Sequence, residues 1–326
     1  EGPWTQRGCV AKTNEASVMN AIDPSVMADP VTGKWWMHYG SFFGGLYCVE
    51  LDPETGLPAE EGDQGHLTAR RANYQKDNLE APEIIYNPDL KQYYLFVSYD
   101  PLMTTYNVRV GRSDKAEGPF VDFSGVELKD TTNNFPILTA PYRFHNHPGW
   151  AGTAHCSVFT SDEGQYFMAH QGRLSPHNQM MDLHLRQVFF TPDGWPVVSP
   201  ERYTGSVSRK FSAEDMAGEW EVIRIQEPAY ERRLQAGQIL WGEGQLKEEE
   251  WNVSHLLSLE KNGHLGENKG NWEFLEAKQL LSLTLEGEII NNLIIFAGHD
   301  WENEKETVLF TGLDSRGRSI WGKRIK

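Results

Sequence analysis

One short pattern is written three times in this chain, and it restricts the fold more than any other feature. A polar residue heads a strand-like run, a turn follows, and an aromatic pair opens the return strand. Asp23-Pro24-Ser25-Val26-Met27 leads through Asp29-Pro30-Val31-Thr32-Gly33 to Trp35-Trp36. Glu80-Ala81-Pro82-Glu83-Ile84-Ile85 leads through Asn87-Pro88-Asp89 to Tyr93-Tyr94. His155-Cys156-Ser157-Val158-Phe159 leads through Ser161-Asp162-Glu163-Gly164 to Tyr166-Phe167. From the heading residue to the aromatic pair is 12, 13 and 11 positions. Asn, Asp, Pro and Gly between apolar runs are the residues of tight reversals, so each copy predicts a β-hairpin.

Reading outward from these hairpins predicts strands at Ser25–Met27, Lys34–Tyr39 and Leu46–Leu51, then near 83–86, 92–99, 106–112 and 119–123. The stretch 126–150, rich in Asn, Pro and His, reads as one long loop, a kind that is usually functional or mobile. In the third copy, Leu183 to Phe190 alternates as a half-buried strand does, and Thr191-Pro192-Asp193-Gly194 turns it back. Repeats of about 50 to 75 residues with three or four short strands each imply a β-propeller. Radial sheets would then bring Asp23, Glu80 and His155 to equivalent heights around one axial pocket. Propellers close with about four to eight blades, and three copies do not close a ring. Glu1-Gly2-Pro3 is echoed by Glu117-Gly118-Pro119, which follows a strand, so residues 1–13 read as the tail of another blade. The expectation is a partial propeller over 1–208, with the remaining blades in an N-terminal fragment or a second chain.

Residues 209–326 lack the hairpin pattern. Short alternating strands are expected there at 220–225, 238–242, 271–276, 279–285, 289–296, 307–313 and 319–324, giving a small β-barrel or sandwich. The chain is thus expected to be all-β.

The charge of −16 disfavours binding to a phosphate backbone and is compatible with a neutral substrate. No apolar run is long enough to span a membrane as a helix. Cys9, Cys48 and Cys156 form no metal-binding spacing and, being three, no disulfide framework. Nucleotide-binding glycine motifs and a GxSxG nucleophile elbow are absent.

Asp23 and Glu80 lie 57 positions apart and head different blades. Two converging carboxylates are what glycoside hydrolysis requires: one protonates the leaving oxygen while the other attacks or activates water. A single strand-heading acid could equally cap backbone amides; two at recurring positions, with a histidine in a third, favour chemistry. His155 could be a base, a metal ligand or a core histidine. Held by one side chain, a metal would be mostly water-coordinated, which suits a hard cation. Tyr39-Gly40-Ser41-Phe42-Phe43-Gly44-Gly45 sets aromatics beside glycines at a strand end, where rings stack on sugars or simply fill a core. The candidate substrate-binding residues are Asn20, Ser41, Phe42, Phe43, Gly44 and Arg173, the last ending the third hairpin.

Asn20-Ala21-Ile22-Asp23-Pro24-Ser25, the Tyr39 to Gly45 stretch, and Leu79-Glu80-Ala81-Pro82-Glu83-Ile84-Ile85-Tyr86 together resemble the endo-1,5-α-L-arabinanases of glycoside hydrolase family 43. Ala154-His155-Cys156-Ser157-Val158 and the run from Leu183 to Val198 fit as well, so the likeness covers about residues 1–205. It implies a five-bladed propeller that hydrolyses arabinan or arabino-oligosaccharides with inversion, in the secreted or periplasmic space. It implies Glu80 as general acid, with its pKa raised, and Asp23 as the carboxylate that tunes and orients it. It implies His155 as a ligand of a calcium ion near the propeller axis. The general base of the family has no counterpart here, so it is expected upstream. Exo-arabinanase, arabinofuranosidase or β-xylosidase activity, or a non-catalytic carbohydrate-binding propeller, are the alternatives.

Overall fold

The predicted hairpins are present in a computed structural model of the chain, described here for residues 2–71, 78–130, 133–207, 209–227, 245–285 and 287–326. The chain forms two compact units, Glu1–Tyr99 with Val110–Asn134, and Asp100–Arg109 with Phe135–Lys326.

In the first unit, β1 (Ser25–Ala28), β2 (Trp35–Tyr39), β3 (Leu46–Leu51) and β4 (His66–Ala69) form an antiparallel sheet in chain order. The β1–β2 turn is stitched by the Asp29 amide to the Lys34 carbonyl and the Gly33 amide to the Asp29 carbonyl, 2.8 and 2.9 Å. The Asp29 carboxylate also accepts from the Thr32 hydroxyl and the Tyr93 hydroxyl. Burial pushes that carboxyl up, but these donors outweigh it and hold it below the usual aspartate range.

A second hairpin joins β5 (Leu79–Asn87) to β6 (Gln92–Tyr99), and β7 (Asn107–Ser113) runs from one unit into the other. Strand β6 reads Tyr-Tyr-Leu-Phe-Val-Ser-Tyr without alternation because both of its faces are covered; Tyr94, Leu95 and Phe96 have no exposed surface. Each such side chain contributes about 1.5–3 kcal/mol by burial. Leu95, with Tyr93, Val97 and Tyr99 of the same strand, belongs to a core that also takes Trp36, Leu46 and Cys48 from the first sheet. Strand β1 is one-sided. Ser25 and Met27 are partly covered, whereas Val26, 50% exposed, and Ala28 face outward.

In the second unit, β8 (Ile137–Thr139) pairs with the start of β7. Next come β9 (Tyr142–Arg143), β10 (Trp150–Ala151), and the third hairpin, β11 (Ser157–Thr160) with β12 (Tyr166–Leu174). Strands β13 (Asp182–Phe190) and β14 (Pro196–Val198) complete the blade. A single helical turn, α1 (Ala213–Met216), precedes β15 (Gly218–Arg224). Strand β16 (Asn252–Val253) pairs in parallel with β9. A closed barrel then runs β15, β17 (His255–Leu259), β18 (His264–Leu265), β19 (Gly270–Leu275), β20 (Leu280–Leu285), β21 (Glu288–Asp300), β22 (Lys305–Leu313) and β23 (Ser319–Arg324). Trp220, Leu257, Leu283, Leu293 and Phe310 fill its interior, as side chains do in a barrel of this size.

Three expectations change. Residues 119–123 form no strand; Val121 makes only single bridges to Arg112 and Glu127. The supposed loop 126–150 instead contains β8, β9 and the start of β10. The C-terminal region is the barrel of the two expected forms, but β17 and β18 are additional strands, and the expected strand at 238–242 lies outside the described residues. All three cysteines are free thiols, Cys9 exposed and the others buried.

Candidate active site

In the first unit, one backbone corner organises the carboxylates. The Gly40 amide donates to the Ile22 carbonyl at 2.9 Å, which ties the end of β2 to the residue before Asp23. The next residue, Ser41, forms an isolated antiparallel bridge with Glu80, and the Phe42 amide donates to the Leu79 carbonyl at 2.8 Å. The Ser41 hydroxyl donates to Glu80 Oε2 at 2.8 Å. Asp23 and Glu80 therefore both flank the Gly40–Ser41 corner, and each is half-buried. Behind them the Ser25 hydroxyl donates to Glu83 Oε2 at 2.8 Å, linking β1 to β5.

Glycine is required at this corner by space as well as by conformation. Gly40, Gly44 and Gly45 all have positive φ. A Cβ on Gly44 would lie 1.6 Å from the Val18 carbonyl oxygen, and one on Gly45 would lie 2.4 Å from that of Ala69. The loop from Gly40 to Gly45 is thus packed backbone against backbone.

The repeat has a different register from the one expected. Asp23, Ala81 and His155 have φ of 55°, 52° and 53°, a left-handed conformation that few residues other than glycine adopt. Two residues later, Ser25, Glu83 and Ser157 each pair with the return strand. The residue equivalent to Asp23 and His155 is therefore Ala81, and Glu80 stands one position earlier. Strand β5 absorbs the difference in an irregularity between Glu80 and Glu83, where the left-handed residue bulges the strand. The prolines at 24 and 82 carried this information, because aligning them places Ala81 opposite Asp23.

Of the other first-unit candidates, Phe43 is 49% exposed while Phe42 is buried, their rings 6.3 Å apart. Asn20 is half-buried, and its carbonyl accepts from the Ile22 amide at 3.1 Å.

In the second unit, His155 is exposed, with Nδ1 3.5 Å from the Tyr106 hydroxyl. Arg173 is buried. Its Nη1 donates to the carbonyls of Asn178 and Gln179 at 3.0 and 3.1 Å, and its Nη2 to Gln171 Oε1 at 3.3 Å. The guanidinium thus braces the turn after β12.

A second charged group in this unit was not foreseen. Ligand oxygens of Glu201, Asp300 and Glu302 lie within 4.8 Å of one another, a set able to hold a cation. The ammonium of Lys323 already provides one. It lies 2.9 Å from both Glu201 and Asp300, also bonds Glu302, and sits 3.9 Å from the centre of the Phe144 ring. Burial pushes the Glu201 carboxyl well up, whereas Asp300 is drawn below the normal range by Lys323 and Asn303 against its own burial. In the same unit His170, held neutral by burial with its pKa lowered to about 3, accepts from Arg186 Nε at 2.9 Å.

Comparison with known proteins divides the chain elsewhere, near residue 200 within the second unit. The profile of the C-terminal lipocalin-like domain found with family 43 enzymes matches residues 200–322, and that of glycosyl hydrolases family 43 matches residues 1–196. The extracellular endo-α-(1→5)-L-arabinanase 2 of Bacillus subtilis is 26% identical, over 99% of this chain and 71% of its own length. The extracellular endo-α-(1→5)-L-arabinanase of Thermotoga petrophila is 30% identical, over 94% of this chain and 64% of its own. A crystal structure of the Thermotoga petrophila endo-1,5-α-L-arabinanase superposes with a TM-score of 0.79 at 27% identity, covering 96% of this chain and 69% of that one. This chain therefore spans about two thirds of the relatives it matches. An exo-1,5-α-L-arabinanase from a bovine ruminal metagenomic library matches 60% of the chain at 32% identity, with a TM-score of 0.52. With two carboxylates flanking one glycine-built corner and its profile matching most of the chain, the protein belongs to glycosyl hydrolases family 43.

Proposed function

We propose that this protein cleaves α-1,5-linked L-arabinan by inverting hydrolysis, with Glu80 as general acid. The observation that carries the reading is the placement of Asp23 and Glu80 on either side of the Gly40–Ser41 corner. Glu80 delivers a proton to the departing glycosidic oxygen, and Asp23 acts on Glu80 as a positioning carboxylate. Phe43, exposed beside this corner, offers a ring face to the sugar. Gly44 shapes the same loop, Phe42 backs it from the core, and Asn20 stands just ahead of Asp23, its carbonyl bonded by the Ile22 amide.

Inversion needs a second carboxylate to activate water, and Asp23 and Glu80 hold other roles in this reading. We assign the base to a further blade that covers β1, where Val18, Ile22 and Val26 stand exposed at 66%, 49% and 50%. Both faces of a propeller blade are normally packed against neighbours. Endo action is favoured because the relatives that align over nearly the whole chain are named endo-arabinanases. Exo action is supported by the ruminal exo-arabinanase over the blade region, and chain-length analysis of products separates the two.

His155, solvent-facing with Nδ1 3.5 Å from the Tyr106 hydroxyl, would give one nitrogen to a calcium ion whose other ligands are mostly waters, the oxygen donors calcium favours. Bound there, the ion would add positive charge, and Arg173 would keep its bracing role. Secretion accords with a polymeric substrate and with relatives named extracellular.

The test is Glu80→Ala in the full-length protein. Turnover of linear arabinan should fall by about 100-fold or more, while an aryl arabinofuranoside with an acidic phenol, which needs no protonation, should keep most of its rate. Equal losses on both substrates would remove Glu80 from the general-acid role.

A further inference from the structure

The Ser41 hydroxyl is 2.8 Å from Glu80 Oε2, and sugar contact is not its only available use. Ser41 is 5% exposed, on a loop whose glycines leave no room for adjustment. Its backbone bridges Glu80, and its neighbours bond Ile22 and Leu79, so the hydroxyl is fixed relative to the carboxyl by main chain on both sides.

We propose that Ser41 is a positioning residue that determines which oxygen of Glu80 carries the catalytic proton. This rests on the general-acid reading of Glu80. A hydroxyl donating to Oε2 lowers the basicity of that oxygen, so the proton resides on Oε1. During hydrolysis the Oε1–H proton passes to the glycosidic oxygen as the bond from that oxygen to the anomeric carbon breaks. The bonding pair leaves with the oxygen, water supplies the hydroxyl to the anomeric carbon, and its other proton passes to the carboxylate base assigned above to a further blade. Glu80 is then a carboxylate, and the Ser41 hydrogen bond strengthens as charge develops on Oε2. Contact with Ser41 also holds the carboxyl plane still, so the proton is aimed in one direction.

The test compares Ser41→Ala, Ser41→Cys and Ser41→Thr in the full-length protein. For Ser41→Ala, kcat on arabinan should fall about ten-fold with KM unchanged. The alkaline limb of the pH profile should move up by about one unit, because a donor that favoured the carboxylate is gone. The aryl arabinofuranoside should be turned over at nearly the original rate. Thr, which keeps the hydroxyl, should restore kcat, while Cys, a weak donor of similar size, should shift the limb in the same direction by less. Carbon-13 NMR titration of the Glu80 carboxyl should show the same upward shift, independently of turnover. A raised KM with unchanged kcat would make Ser41 a substrate contact and overturn the proposal. A downward shift of the Glu80 midpoint would overturn it as well, since Ser41 would then be accepting the proton. If Glu80→Ala fails its own test, the general-acid reading falls; if it passes and Ser41→Ala leaves both limb and midpoint in place, only this inference falls.

Discussion

Replacing Lys323 by Met removes, among the described residues, the one ammonium that three buried carboxyl groups meet. The side chains of Lys323, Glu201, Asp300 and Glu302 are 0%, 2%, 0% and 7% exposed. At an effective dielectric of about 20, two unit charges about 5 Å apart repel by roughly 3 kcal/mol. Burial already favours the neutral form of Glu201, so Asp300 and Glu302 are the pair that would face each other unscreened. Protonating one of them relieves the repulsion once the pH is low enough for this to cost less. Drawing a proton onto a carboxyl about three units above its ordinary pKa costs about 4 kcal/mol at pH 7 and about 1 kcal/mol at pH 5. The expected destabilisation is therefore about 3–5 kcal/mol at pH 7, the range found when a buried pair loses one partner, and it should shrink by about 2–3 kcal/mol on going to pH 5.

The parent protein should behave differently across that window. Asp300, depressed in the fold, contributes stability above its unfolded pKa that is lost as pH falls through its folded value. Glu201, raised in the fold, contributes in the opposite sense: its share is present at low pH and is lost as pH rises through its folded value. Urea unfolding followed by tryptophan fluorescence, at pH 5, 6 and 7, measures both proteins. A loss below about 1 kcal/mol at pH 7, or a penalty that grows on acidification, would refute the placement of an ionised lysine at the centre of this group.

Gly44→Ala should destabilise the first unit far more than Gly33→Ala, measured as the difference in urea midpoints. Both have positive φ, but a Cβ at 44 meets the Val18 carbonyl at 1.6 Å whereas one at 33 meets nothing within 4 Å. Gly33→Ala should cost about 1 kcal/mol of backbone strain, and equal losses would contradict the packing of the corner. His38 is buried, bonded through Nε2 to the Ala116 carbonyl at 2.9 Å, and its pKa is lowered to about 4. A histidine depressed in the fold withholds a proton that the unfolded chain binds, so stability should fall between pH 6.5 and 4. His38→Gln should flatten that dependence in acid titrations of unfolding free energy, and an unchanged slope would show that His38 is not its source.

The hairpins were legible because their signals are local: a turn residue with its own preferred φ, and an aromatic pair that can enter only a covered strand. Strands Leu46–Leu51 and Gln92–Tyr99 could be read to the residue. Strands β8, β9 and β10 have three, two and two residues, too few to show a period, so the stretch holding most of them reads as loop. The one-residue slip at Glu80 has a related origin. Charge attracts the eye to Glu80, whereas the backbone repeats its conformation at Ala81. Lys323 within Ser-Ile-Trp-Gly-Lys-Arg looks like an ordinary outward lysine, and only the acids from Glu201, Asp300 and Glu302 make it interior.

By itself, the order of residues determined an all-β chain built from a recurring hairpin, with an acid near the head of two copies, because alternation and turn chemistry act over a few neighbours. Tertiary packing decided which acid met which hydroxyl. It set Glu80 against Ser41, buried Arg173 on its own turn, and enclosed Lys323 among three carboxyl groups. Those pairings join residues 5 to 122 positions apart. The longer of them depend on how whole sheets come together, which no short window of sequence contains.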